Sequence, residues 1–293
     1  MASVTSLALT DWFEPVTPDQ RDEALCVLES GGAVWLPKLS FSVNASEHHL
    51  LALEQAAAVG AKNVSLSPDG DKLKGVSYSE ADSLLLCGLM RRFASAVRAL
   101  VDNLLPVYGD MLEPGRTSFR PVEIAGRQTS WRKDDTRLHV DSFPSSPTAG
   151  RRILRVFANV DPQGRPRTWR LGEPFELVAE RFIPTLRAPL WGSHALLHRL
   201  GATRSRRTDY DHYMLGLHDR MKADMMFQRS CAQTEHAFDA GTVWLVCTDQ
   251  AAHAAISGRC ALEQTFLVPI EAMREPQRSP LRVLESRLGR SLI

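Results

Sequence analysis

Apolar positions over the first hundred residues recur at helical spacing. In "TPDQRDEALCVLESGG" Thr17 is placed to cap a helix, Pro18 suits its first turn and paired glycines mark the stop. "AVWLP" (33–37) reads as a short strand and "SEHHLLALEQAAAV" as a second helix. From Ser79 to Leu105 the apolar residues Leu86, Leu89, Met90, Phe93, Val97 and Leu100 fall three or four apart, behind a Ser79/Asp82 pair that resembles a capping box.

Beyond Pro114 the period shortens. "SFRPVEIAG", "TRLHVDSF", "RRILRVFANV" and "RTWRLG" are short, rich in β-branched and aromatic residues, and separated by Gly, Pro and Ser, which predicts strands. Helices are predicted again at "EPFELVAERF" and "TDYDHYMLGLHDRMKADMM", then strands at "GTVWLVCTD", "AAHAAIS" and "CALEQTFLVPI", and a last helix from Ser279-Pro280. Strands on both sides of a helical insertion predict an α+β chain with one β core closed by distant segments. The expected division is a single domain over 1–293: a mainly helical part to 110, a β core over 111–270 holding the insertion, and a C-terminal helix over 271–293. No internal repeat interrupts this pattern.

Composition narrows the function. At 293 residues, 44% hydrophobic, with a net charge of +1, the chain carries no global attraction to nucleic acid. Five scattered cysteines without a C-x-x-C suit a reducing, cytoplasmic setting, and the N-terminus lacks the basic start and apolar core of a signal peptide. Charge is uneven locally: six arginines lie between Arg151 and Arg170 against Asp161 alone, and Arg204, Arg206 and Arg207 cluster later. As a group they suit an anionic substrate, because guanidinium forks match carboxylate and phosphate oxygens.

The candidate chemistry starts at "RLHVD". Residues i and i+2 of a strand share a face, so His139 and Asp141 would project together. His253, among alanines near a later strand, supplies a third ligand, and two histidines with one carboxylate are the set that holds non-haem Fe(II) with open positions. His194, His198, His212, His218, His48 and His49 are expected to be packing or surface residues; "HALLH" lacks the glutamate that zinc-protease chemistry requires. Arg155, inside the apolar "RRILRVF", requires an anionic partner. That partner is either an internal acid or the distal carboxylate of 2-oxoglutarate, with Thr136 and Arg120 as further contacts and Arg259 as the rival anchor.

"RKDDTRLHVDSFPSSPTAGRRILRVFANVDPQGRPRTWRLGEPFE", together with "DQAAHAAISG" and "LEQTF", resembles the Kdo hydroxylase family, bacterial Fe(II)/2-oxoglutarate dioxygenases. The resemblance is densest over 130–176 and 240–268. It implies a double-stranded β-helix (jelly-roll, cupin-like) core with flanking N-terminal and inserted helices. His139, Asp141 and His253 become the iron ligands, and Arg155 the leading 2-oxoglutarate contact. The implied reaction uses O2 to hydroxylate carbon 3 of Kdo (3-deoxy-D-manno-oct-2-ulosonic acid) in Kdo-lipid A, giving D-glycero-D-talo-oct-2-ulosonic acid, succinate and CO2. A lipid-linked substrate implies peripheral contact with the cytoplasmic face of the inner membrane, and a homo-oligomer is compatible with the family. The competing readings are another small-molecule 2-oxoglutarate dioxygenase, a metal-dependent hydrolase and a cupin-like sugar-binding protein without turnover.

Overall fold

The computed structural model describes residues 3–52, 61–190 and 192–293. In chain order its strands are β1 (Val4–Ser6), β2 (Ala33–Leu36), β3 (Val64–Leu66), β4 (Leu73–Lys74), β5 (Glu113–Arg120), β6 (Arg152–Asn159), β7 (Arg167–Leu171), β8 (Thr234–Phe238), β9 (Val243–Cys247), β10 (His253–Ser257) and β11 (Ala261–Val268). Its helices are α1 (Pro18–Glu29), α2 (His48–Ala52), α3 (Glu80–Leu104), α4 (Phe175–Phe182), α5 (Ser193–Arg199), α6 (Asp209–Ala223), α7 (Met225–Ser230) and α8 (Pro280–Leu288). One sheet has the order β1-β2-β9-β6-β11-β5-β3-β4, and the other β10-β7-β8. β1 pairs parallel to β2, and the remaining pairs of both sheets are antiparallel.

Alternation along the strands builds three apolar layers. From β9, Val243, Leu245 and Cys247 pack with the buried stripe of α3, while Trp244 and Val246 face the smaller sheet. Between the sheets Phe157 and Phe238 stack on Trp244 at centroid distances of 5.1 and 4.3 Å, and Trp169 meets Phe157 edge-on at 5.0 Å. On the outer side of the smaller sheet, Ala252 and Ala254 join Phe175, Val178, Leu217, Phe227 and Leu284 from α4, α6, α7 and α8. The inter-sheet space is therefore filled by rings around Trp244, and its polar remainder is where a site forms.

The caps behave as their chemistry requires. Thr17 and Gln20 form a reciprocal capping box, with Pro18 in the first turn. Ser79 Oγ accepts from Asp82 N, but the Asp82 carboxylate takes the Ser79 hydroxyl in place of a backbone N–H. Other expectations are corrected. The strand expected over 118–126 lies at Glu113–Arg120, because Pro121 removes a ladder donor and Glu123 then gathers the N–H groups of Ile124 and Ala125 into a turn. "TRLHVDSF" forms no extended strand and makes one bridge, His139 to His253. The helix expected over 208–226 breaks at Asp224, whose carboxylate caps a new helix at Met226 N and Phe227 N. β1, β3, β4 and β8 lacked a clear sequence signal, and the second helix is seen to Ala52, its remainder falling outside the described residues.

The fold's deepest ion pair joins Arg152 to Asp249 at 2.7 Å, both side chains 1% exposed, with Arg152 also donating to Gln250 Oε1. Gln250 in turn donates to the carbonyls of Glu29 and Arg278, linking the β core to both ends of the chain. Removing one partner leaves the other charge buried and unpaired. Asp249→Asn should therefore cost about 3–5 kcal/mol in urea denaturation, while the apolar pair Arg152→Leu/Asp249→Leu recovers a large share; a cost below about 1 kcal/mol for Asp249→Asn would contradict this placement.

Candidate metal centre

His139 and His253 are brought together by their own backbones: His139 N donates to His253 O at 3.0 Å and His253 N to His139 O at 2.9 Å. Asp141 N donates to Thr248 O at 2.8 Å, which fixes the carboxylate beside the pair. The imidazole centroids lie 4.6 Å apart. Asp141 Oδ1 is 3.7 Å from His139 Nε2, and its Oδ2 is 4.0 Å from His253 Nε2. One donor atom from each residue lies within 4.8 Å of the others. Groups this close that do not hydrogen-bond one another leave a space an ion can fill.

The tautomers are set for that task. His139 Nδ1 donates to Arg137 O at 2.7 Å and His253 Nδ1 to Ala251 O at 2.8 Å, so both Nε2 lone pairs are free to face Asp141. Burial, then the neighbouring His253 imidazole and Lys222, push His139 well below the ordinary histidine value; burial also lowers His253. Burial alone would raise Asp141, but the Arg155 guanidinium and the two imidazoles hold it well below the usual carboxylate range. Two neutral imidazoles and an ionised carboxylate are the protonation states a metal needs. Trp169 stacks on His253 at 5.1 Å, and His218 meets His139 edge-on at 5.3 Å.

The donors open into a cavity of about 270 Å³ lined by Arg120, Asp141, Arg155, Phe157, Arg167 and Trp169, among others. Arg155 lines it, but its charge is shared between Asp141 Oδ2 at 3.1 Å and Glu263 Oε1 at 3.3 Å. Arg120 also pairs with Glu263, at 2.6 Å from its Nε. Two further expectations are corrected. Thr136 Oγ1 donates to Asp134 Oδ1 at 2.6 Å, closing a local turn, and Thr136 does not line the cavity. Arg259 donates to Leu51 O and does not line it either.

Sequence reasoning missed Arg167. Of the six arginines between 151 and 170, five pair with an acid, and Arg167, 2% exposed, meets no carboxylate at ion-pair distance among the described residues. One guanidinium nitrogen donates to Gly258 O at 3.2 Å while its Nε has no partner. Burial, then the Arg120 charge, pushes its pKa down to about 9. Gly258, at φ +107°, lets β10 approach this closely, since a Cβ there would stand 2.9 Å from Arg167 Cα. The arginine cluster was visible in the sequence; which member lacked a partner was not. His218, expected to be a packing or surface residue, packs edge-on against His139 from the stripe Asp211, Met214, His218, Lys222 of α6.

The model of the 3-deoxy-D-manno-oct-2-ulosonic acid (Kdo) hydroxylase family matches residues 11–291. The chain belongs to the Kdo hydroxylase family. Among solved structures, the Kdo hydroxylase KdoO in complex with alphaketoglutarate (2-oxoglutarate) and Fe(III) is 44% identical, with a TM-score of 0.94 over 99% of this chain and 97% of that one. KdoO in complex with cobalt(II) is 46% identical with a TM-score of 0.95, and its apo form 45% with 0.96, each over the same shares. KdoO is described as a non-heme Fe(II) alphaketoglutarate dependent dioxygenase. No curated protein sequence matches the chain.

The lowered histidine values give a pH expectation for this family member. Because both imidazoles are already neutral below the usual pKa of about 6.5, metal binding displaces no proton from them as pH falls toward that value. Co(II) affinity, followed by its visible absorption, should stay flat between about pH 7.5 and 6.5. A drop of about threefold or more over that range would show ordinary histidines. Replacing His253 by Ala should weaken Co(II) by more than the roughly 10–100-fold typical of losing a supporting contact.

Proposed function

We propose that the chain is an Fe(II)/2-oxoglutarate-dependent dioxygenase that hydroxylates carbon 3 of Kdo in Kdo-lipid A. The observation that carries the reading is a buried, carboxylate-free arginine in the same cavity as two Nε2-facing imidazoles and a carboxylate. The donor set suits iron, and the unpartnered Arg167 Nε suits an anionic cosubstrate. Bound together, iron, 2-oxoglutarate and O2 supply the oxidant that converts a sugar C–H to C–OH, with succinate and CO2 as the other products.

The chain's own residues bind, orient and exclude water. His139, Asp141 and His253 hold the metal, and the Arg137 and Ala251 carbonyls keep the rings in register. Arg167 is assigned the distal carboxylate of 2-oxoglutarate. Arg155 and Arg120, shared with Glu263, form the cationic wall beside it, so Arg155 becomes a supporting contact. Phe157 and Trp169 give the cavity a dry side. No general base is required.

A double-stranded β-helix reading is supported by the strand orders: β5-β11-β6-β9 faces a second layer in which the His139 segment, β10, β7 and β8 are neighbours. A single domain over 1–293 is supported by Glu29, whose carboxylate accepts from Arg274 N and Glu275 N. No helix among the described residues is long and apolar enough to cross a membrane, so a lipid-linked substrate calls for peripheral contact.

Incubation with Kdo-lipid A should add one oxygen at carbon 3, dependent on Fe(II), 2-oxoglutarate and O2, with one succinate per product by mass spectrometry. Turnover that persists with zinc and without O2 would support a hydrolase. Arg167→Gln should raise the KM for 2-oxoglutarate by about tenfold or more, as loss of a charge-assisted hydrogen bond does; an unchanged KM would return the anchor to Arg155.

A further inference from the structure

A second cavity, of about 440 Å³, adjoins the metal cavity and shares Asn63, Arg120, Phe143 and Arg155 with it. Its charged lining is Arg116, Arg120, Arg151, Arg155 and Arg204 against Glu263 alone. Glu263 is already divided between Arg120 and Arg155, and Arg151 pairs with Glu113 outside the groove. Arg116 and Arg204 are left, and among the described residues neither guanidinium has a hydrogen-bond or ion-pair partner. Both side chains are exposed on the groove wall; partial burial, then the Arg204 charge, lowers the Arg116 pKa. Two cations lining one groove without an acid between them raise the local positive potential, which draws an anion to the groove.

Their placement is built into the fold. Arg116, Ser118 and Arg120 alternate along β5 and so share the face that carries Glu263 of β11, while Thr117 turns away to Gln264. Arg116 is four residues from Arg120, or roughly 13 Å further from the metal cavity at about 3.3 Å per strand residue. Across the groove, Arg204 N donates to Ser145 O at 2.9 Å, and the Arg207 guanidinium donates to Pro144 O. The basic segment of the insertion is thereby fastened to the loop that follows Asp141, which is how a cluster far along the chain reaches the site.

Resting on the hydroxylase reading above, we infer that Arg116 and Arg204 bind an anionic oxygen group of the substrate, phosphate or carboxylate, that lies outside the reacting sugar. Paired forks with free N–H groups match either chemistry. The groove thus selects a sugar carried on a larger, multiply charged molecule over the free monosaccharide.

The test is steady-state hydroxylation of Kdo-lipid A by the wild type, Arg116→Gln, Arg204→Gln, the double variant and Arg199→Gln, an exposed arginine outside the groove. Each groove variant should raise the substrate KM about tenfold, with a smaller change in kcat and no change in the KM for 2-oxoglutarate. Arg199→Gln should match the wild type. If phosphate is the group, dephosphorylated substrate raises the wild-type KM to that of the double variant; if a carboxylate is, the gap survives dephosphorylation. A double variant within about twofold of wild type, or an equal effect from Arg199→Gln, overturns the inference and leaves the reaction standing. A wild type that adds no oxygen to the substrate overturns the reaction itself.

Discussion

The reciprocal pair of backbone hydrogen bonds between His139 and His253 is the constraint on which the rest depends. It joins a segment with little regular structure of its own to β10, and it does so at the two residues that carry the imidazoles. Because a backbone bridge fixes Cα positions, the side chains need no long-range adjustment to meet. The carbonyls of Arg137 and Ala251, each two residues before its histidine, then select the tautomer. One local pattern applied twice thus aims both Nε2 atoms at Asp141.

Charge balance explains the surroundings. Burying an arginine without a partner is costly, and the chain avoids it almost everywhere: Arg152 has Asp249, and Arg120 and Arg155 divide Glu263. Against that background Arg167 stands out inside the cavity, while Arg116 and Arg204, exposed on the groove beside it, add positive charge without an acid. The proposed role of Arg167 follows from this, since an anion bound there would restore the balance. The apolar rings of Phe157 and Trp169, with Trp244 packed behind them, wall one side of the cavity, so the polar groups converge on a limited space.

The sequence was most legible where a local rule determined the outcome. Helical period and capping located α1, α3 and α8, and alternation located β6, β9 and β11 to within a residue or two. The three donors were legible from residue type and from a resemblance spanning the long block around them. The strand that was meant to align His139 with Asp141 was not, since Asp141 is held by Thr248 through a single long-range bond. β1, β3 and β4 depend on pairing across the sheet and carry weak local signals. Arg167 was hidden for a related reason: its significance is the absence of a partner, and partners such as Glu263 come from segments a hundred residues away.

Anaerobic titration of the protein with Fe(II) and then 2-oxoglutarate tests the central claim most directly. Convergence of the two imidazoles and the carboxylate, with room for bidentate 2-oxoglutarate, predicts a weak visible charge-transfer band that saturates with the cosubstrate and is lost in His139→Ala and in His253→Ala. No band in the wild type, or a band unchanged in both variants, would contradict the account.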